Sequence, residues 1–403
     1  VALPDRLSAL TGTPLATGWG LHEDERVVLD AEVIADAAEW SSLDPELIPF
    51  LTEAARKIQD DVDFDLLYHH VREGLLVRRD LFDLRSSFPN VIEPLGDLSG
   101  PFYLLVALSG VLAMCTDHKK RGIPDSISRL TARDIRVWIN EYTSRGIPAD
   151  DRFHRPFDPM PVGLHARGLA WISRSLIGQI LRVERLQFIH APFRPPFTIR
   201  RHRETGDVRV VAEAGVDFDR AGWGCNEDEA AEFTSRDPEA GEATLITENG
   251  HAIENATPFD VAHWETLVGP GDPILEIHIP EDGPMDFARC GASFRQAVDA
   301  YSTWYPDRPF KAFACSSWLL DPQFQDYLSP SSNLVRFQRA SRLFPSTKGR
   351  GRSGLLRIFQ SSDLPNLPRD TSMRRAYLDH LEAGAGWYGG GCIVLPSELD
   401  RWP

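Results

Sequence analysis

Apolar residues change their spacing partway along the chain. In Ala31–Trp40, Pro45–Asp60 and Asp63–Arg79 they recur three and four positions apart with charges between them, the repeat of helices that bury one stripe. Asp44 ahead of Pro45 predicts a helix start. Further on, Thr131 is predicted to cap a helix that sets Ile135, Trp138, Ile139 and Tyr142 on one face, and GLHARGLAWISRSLIGQILRVERL closes this half with another helix. The run PFYLLVALSGVLAMC falls short of the roughly 18 apolar residues of a spanning segment and leads straight into TDHKKRG, so it predicts a buried core helix.

Past Arg185 the period shortens to two. FTIRRHRETGDVRVVA predicts a hairpin turning at Glu204-Thr205-Gly206-Asp207. The stretch 222–248 is acidic and poor in large apolar residues, and predicts an exposed excursion with disorder left open. FDVAHWETLVGPGDP predicts a short helix and a turn into a strand at Ile274–Ile279. A helix from Phe287, a strand FKAFACSSW, a short helix, strands NLVRFQRA and LLRIF, a helix Thr371–Ala383 stopped by Gly384 and a last strand CIVL complete the expected order. The fold class expected is α+β in two domains: all-helical over 1–184 and mixed α/β over 185–403. A length of 403 residues agrees with two cores.

Composition narrows the function classes. Against 43 Lys and Arg stand 59 Asp and Glu, a net charge of -16 that disfavours nucleic acid and anionic membrane as partners. The five cysteines are widely spaced with no C-x-x-C, which signals neither a disulfide framework nor a zinc site. The adjacent His69 and His70 diverge by about 100° on a helix and cannot chelate one ion together, so no metal is expected. VALPDRLSALTG lacks a basic head and apolar core, and a reducing cytoplasm is the expected compartment.

Candidate chemistry gathers between Pro273 and Ala340. Glu276 and His278 lie two apart on one strand and share a face; with Glu281 they form a set able to hold an ammonium group and remove its proton. Cys315, at the end of FKAFAC and just before Ser316 and Ser317, is a candidate nucleophile or acid, with a buried structural cysteine as the plainer alternative. Asp282, Trp318 and Asp321 are taken as substrate-binding residues on the same rim, although Asp321 before Pro322 also suits a helix cap.

The phrases HIPEDGP, CSSWLLDPQ, SSNLVRFQR and LPRDTS resemble a family of bacterial, including actinobacterial, two-domain proteins. These join a helical N-acyltransferase-type N-terminal domain to a C-terminal domain like the Gcn5-related acetyltransferase fold. The resemblance implies acyl transfer from acyl-coenzyme A to an amine or hydroxyl of a small molecule, at a site between the domains, with a homodimer left open. In that fold a glycine-containing loop and the following helix N-terminus cradle the diphosphate. Here the loop reads Glu281-Asp282-Gly283-Pro284-Met285-Asp286, with three carboxylates and a proline. Its departure keeps two alternatives open: a ligand-binding protein that retains the fold without catalysis, and a hydrolase using Cys315 with His278. The stretch 327–362 has no acidic residue and seven basic ones. Arg339, Lys348, Arg350 and Arg352 within it are the expected phosphate ligands of a donor.

Overall fold

The computed structural model describes residues 7–8, 10–11, 29–77, 91–144, 162–226, 229–346, 352–359 and 366–403. The chain forms two compact units: Val1–Val183 with Pro280–Asp282, and Glu184–Ile279 with Gly283–Pro403.

The first unit is built of helices α1 (Ala31–Trp40), α2 (Ile48–Asp60), α3 (Val62–Arg72), α4 (Ser99–Lys120), α5 (Asp125–Ala132), α6 (Asp134–Ser144) and α7 (Ala166–Leu176), followed by strand β1 (Ile180–Val183). Carboxylates set their starts: Asp30 accepts from the amides of Glu32 and Val33, and Asp61 from those of Asp63 and Phe64. Asp44 accepts from the Glu46 amide and opens a 3-10 turn at Pro45 that runs into α2. Helix α4 is long and apolar enough to cross a membrane, yet 78% of its apolar window is buried inside the unit. Every residue from Ser99 to Gly110 is buried, so the helix is the axis of this core. Thr131 does not cap α6. It lies within α5, where its hydroxyl accepts the Arg182 amide at 3.1 Å, and α6 starts separately at Asp134.

The second unit pairs two sheets. Strands β2 (Leu186–Pro192), β7 (Pro273–His278), β8 (Ala312–Ser317), β10 (Gly390–Val394) and β9 (Arg342–Pro345) lie in that order in the main sheet. Only the β7–β8 pair is parallel; its crossover is α8 (Phe287–Trp304). An antiparallel sheet, β6-β3-β4-β5, is formed by β3 (Phe197–His202), β4 (Val208–Ala212), β5 (Leu245–Ile246) and β6 (Trp264–Val268). Its hairpin β3–β4 is the one the alternating sequence predicts.

The main sheet has two unlike faces. On one, Phe294 and Tyr301 of α8 pack against Phe188 and Phe313, with ring centroids 4.9 Å apart for Phe294 and Phe313. On the other, Ile274, Ala312, Ala314, Phe344 and Ile393 share a core with Phe193, Phe197, Ile199, Val210 and Phe218. Two sheets packed face to face leave space between them wherever the inward residues are small.

Three expectations are corrected here. NLVRFQRA is a helix, α9 (Asn333–Ala340), because Ser332 caps it through the Val335 amide and Leu334, Val335, Phe337 and Gln338 form one buried stripe. LLRIF lies in a helix, α10 (Arg352–Phe359). The acidic stretch 222–248, apart from residues 227–228 outside the described set, is folded. Trp223 and Ala243 are buried there, and short ladders pair Asp217–Phe218 with Phe233–Thr234 and Glu242–Ala243 with Thr257–Pro258. The short helix expected in FDVAHWETLV is the 3-10 turn Val261–His263, and β6 follows it. Helix α11 (Ser372–Glu382) starts from the Thr371 cap, as expected.

Candidate active site

A cavity of about 620 Å³ lies between the two sheets of the second unit. Its floor is the main sheet, through Ile274 and Glu276 of β7, Ala314 and Ser316 of β8, Gly391 of β10 and Phe344 of β9. Its opposite walls come from the turn Pro192–Phe197 and from Val216, Asp217, Phe218, Gly224 and Cys225. Most of that lining is apolar, and a small number of polar groups sit in it, the composition usual for small-molecule sites.

The polar groups on the floor are placed by strand geometry. The parallel ladder joins Ile274–Glu276 of β7 to Ala312–Ala314 of β8 and stops at the Glu276–Ala314 row, although β7 continues to His278 and β8 to Ser317. Period-two alternation keeps Glu276 and His278 on one side of β7, and Ala314 and Ser316 on the matching side of β8. His278 Nε2 is 3.4 Å from Glu276 Oε1, the two side chains 28% and 44% exposed. A carboxylate, an imidazole and a hydroxyl are thereby set along the end of the strand pair, beside an apolar hollow. Such a group of side chains can accept and relay a proton; the apolar hollow can accommodate a hydrocarbon chain.

The other candidate residues fall elsewhere. Glu281 and Asp282 are on the stretch Pro280–Asp282, which belongs to the first unit. Asp282 is occupied there: its carboxylate takes both arms of Arg182, at 2.7 and 2.9 Å, and Arg182 is 3% exposed. The pair engages both oxygens of this carboxylate within the fold. Trp318 packs with Phe324 in a separate cluster that includes Tyr377 and Trp387.

Asp321 is fully buried, and its carboxylate accepts the amides of Gln323, Tyr388 and Gly389 at 3.0, 2.7 and 3.0 Å and the Gln323 side-chain amide at 3.1 Å. Burial raises its pKa, and those amide donors hold it down in part. No lone pair is left for a substrate, so Asp321 is a loop staple. Cys315 borders the cavity but is 5% exposed and opposite Cys392 in the β8–β10 ladder. Burial pushes its thiol well above the ordinary value, with Cys392 and Glu276 adding to the rise. Burial thus disfavours the thiolate that a nucleophile needs and favours the thiol form that an acid role would use.

The basic stretch is divided by the structure. Lys348 and Arg350 lie outside the described residues, and Arg352 begins α10. Arg339 bonds Gln325 at 3.1 Å and faces a second, more polar cavity of about 760 Å³, not the apolar one. Arg336 opens the same basic stretch. Its guanidinium stands 4.4 Å from the centre of the Phe287 ring, which puts a cation at the first residue of α8. That end of α8 is capped by Asp286, which accepts the Arg289 amide at 2.8 Å, while Arg185 donates to the carbonyls of Gly283 and Pro284 at 2.7 and 2.8 Å. Phe193, Phe197 and Phe344 were missed as site residues. The Pro/Phe-rich turn APFRPPF was a signal for Phe193 and Phe197, and none marked Phe344.

Residues 180–394 match the GNAT-like C-terminal domain, and residues 32–149 match the N-acyltransferase N-terminal domain. The chain therefore belongs to the family of two-domain proteins that carry the GNAT-like C-terminal domain. No curated protein matches it significantly. Among solved structures, an acyltransferase mutant in complex with octanoyl-CoA is 19% identical, with a TM-score of 0.62 over 98% of this chain and 100% of the other. An acyltransferase in complex with decanoyl-CoA and teicoplanin is also 19% identical, with a TM-score of 0.61 over 97% and 93%. At this identity the likeness establishes a shared fold across both units.

Proposed function

We propose that this protein is an acyltransferase that moves an acyl group from acyl-coenzyme A to an amine or hydroxyl of a small molecule. The observation that carries this reading is the apolar cavity of about 620 Å³ with Glu276 and Ser316 on its floor. A hydrocarbon chain fits the hollow, and the reacting thioester then falls beside a base. The family membership and the octanoyl-CoA and decanoyl-CoA bound by the similar structures support the same donor class. The teicoplanin complex of one of them supports a small-molecule acceptor, and the net charge of -16 disfavours a nucleic acid.

In the transfer, the acceptor nitrogen or oxygen bonds to the thioester carbonyl carbon, its proton passes to Glu276, and the carbon–sulfur bond breaks as coenzyme A leaves as a thiolate that is then protonated. His278, beside Glu276, is the partner through which the proton is passed on to solvent. Arg336 at the start of α8 is the cation that meets the donor's phosphates, and it does so where carboxylates of the turn would otherwise repel them. The five cysteines are all free thiols, which supports a reducing, cytoplasmic setting.

Isothermal titration with coenzyme A and with butanoyl-, octanoyl- and dodecanoyl-CoA tests the reading. Binding that tightens from coenzyme A to octanoyl-CoA is expected. Absence of binding to all four overturns it. For catalysis, Glu276→Gln is expected to slow release of free coenzyme A from octanoyl-CoA in a mixed panel of amines by about 10²-fold or more, at little cost in donor affinity. A wild-type rate in that variant removes Glu276 from the mechanism.

A further inference from the structure

An aromatic ring lines one side of the cavity. In the main sheet Ser316, Gly391 and Phe344 form one cross-strand row, Ser316 opposite Gly391 and Gly391 opposite Phe344. Residues in such a row share a face. Gly391 carries no side chain, and the Phe344 ring occupies the space this leaves: a Cβ at position 391 would come within 1.9 Å of the ring. The ring is held there by Phe193, edge-on at 5.9 Å, and by Phe197 at 5.2 Å and 34°. It lines the cavity two strands across from Ser316.

Next to Glu276 the floor is small. Ala314 sits in the row of Glu276, and its methyl leaves the hollow open directly beside the carboxylate. The side chain at 314 therefore decides how much room a chain has at the reacting end. The ring at 344 decides how far the chain can run.

We infer that Phe344, locked over Gly391 by Phe193 and Phe197, sets the longest acyl chain this protein accepts, and that Ala314 sets the bulk tolerated next to the thioester. The inference rests on the acyl-coenzyme A reading above and adds the residues that grade one donor against another. Burial of each methylene stabilises a complex by enough to tighten binding about fourfold. Affinity should therefore climb with chain length until the chain meets the ring and then level off.

The test is titration of the full-length wild-type, Phe344→Ala and Ala314→Val proteins with even-numbered straight-chain acyl-CoAs from butanoyl to hexadecanoyl. Thermal unfolding of each variant is recorded, and Phe313→Leu, on the opposite face of the sheet, serves as a control for destabilisation alone. Phe344→Ala is expected to move the levelling point to chains at least two carbons longer. Ala314→Val should lower affinity for every acyl-CoA several-fold relative to coenzyme A, and Phe313→Leu should leave the profile in place. If Phe344→Ala and Ala314→Val both keep the wild-type profile, the inference is overturned while the acyltransferase reading stands. If Phe344→Ala does not fold, Ala314→Val decides by the same criterion. If the wild-type protein binds no acyl-CoA, that reading fails first, and the inference with it.

Discussion

The buried carboxylate of Asp321 offers the sharpest separation of a structural role from a substrate-binding one. It holds three backbone amides and one side-chain amide, and it joins the loop after β8 to the residues that lead into β10. Asp321→Ala leaves those donors without an acceptor in a site with no solvent exposure. A buried unsatisfied donor costs roughly 1–3 kcal/mol, and relief of the buried charge offsets part of the sum, so a net loss of about 3–5 kcal/mol is expected. For a unit of this size that lowers the melting temperature by about 10 °C or more. Asp321→Asn keeps one acceptor oxygen but turns an NH2 group toward donors, and about 2 kcal/mol should be lost. The folded-state pKa of Asp321 lies above its ordinary value of 3.8. Its protonated form is thus favoured by folding, and this contribution is fully present below the ordinary value and lost as pH rises through the raised one. The wild-type unit should lose some stability across that interval, and Asp321→Asn should abolish the slope. Thermal unfolding monitored by Trp fluorescence from pH 3.5 to 7.5 measures both effects. Unchanged melting in Asp321→Ala together with lost coenzyme A release would refute the structural role and return Asp321 to substrate binding.

Two further predictions follow from the same geometry. Cys315→Ala should cost about 1 kcal/mol through a small cavity and leave acyl transfer within a few-fold, and the native protein's Cys315 should resist a thiol reagent at pH 8; a thousandfold fall in kcat with intact melting would restore it as a nucleophile. Arg336→Glu should weaken acyl-CoA binding about tenfold and lessen its dependence on salt, as expected when a phosphate contact of roughly 1.4 kcal/mol is lost; titration at 50 and 300 mM NaCl checks this, and equal affinity in the variant would place the phosphates elsewhere.

The sequence by itself determined the two kinds of secondary structure, the buried character of α4, the β3–β4 hairpin and the strand–helix–strand unit β7-α8-β8. Each rests on local periodicity or on turn and cap residues within a few positions, such as Asp44 with Pro45 or Thr371 ahead of α11. It misread NLVRFQRA and LLRIF because short apolar runs look alike as strand or helix, and the Ser332 cap that decides the first is a contact and not a period. Of the candidate residues, the shared face of Glu276 and His278 was legible because they lie two apart on one strand. The rest belonged to the tertiary structure alone. Asp282 looks like a free carboxylate until Arg182, 100 residues away, takes both its oxygens, and Asp321 looks like a rim residue until Tyr388 and Gly389 enclose it. Whether Cys315 is a thiolate depends on the burial that β10 imposes. The cavity itself exists only because Gly391 leaves room for the Phe344 ring and two sheets meet over Ala314, a relation between β3, β8, β9 and β10 that no spacing along the chain encodes.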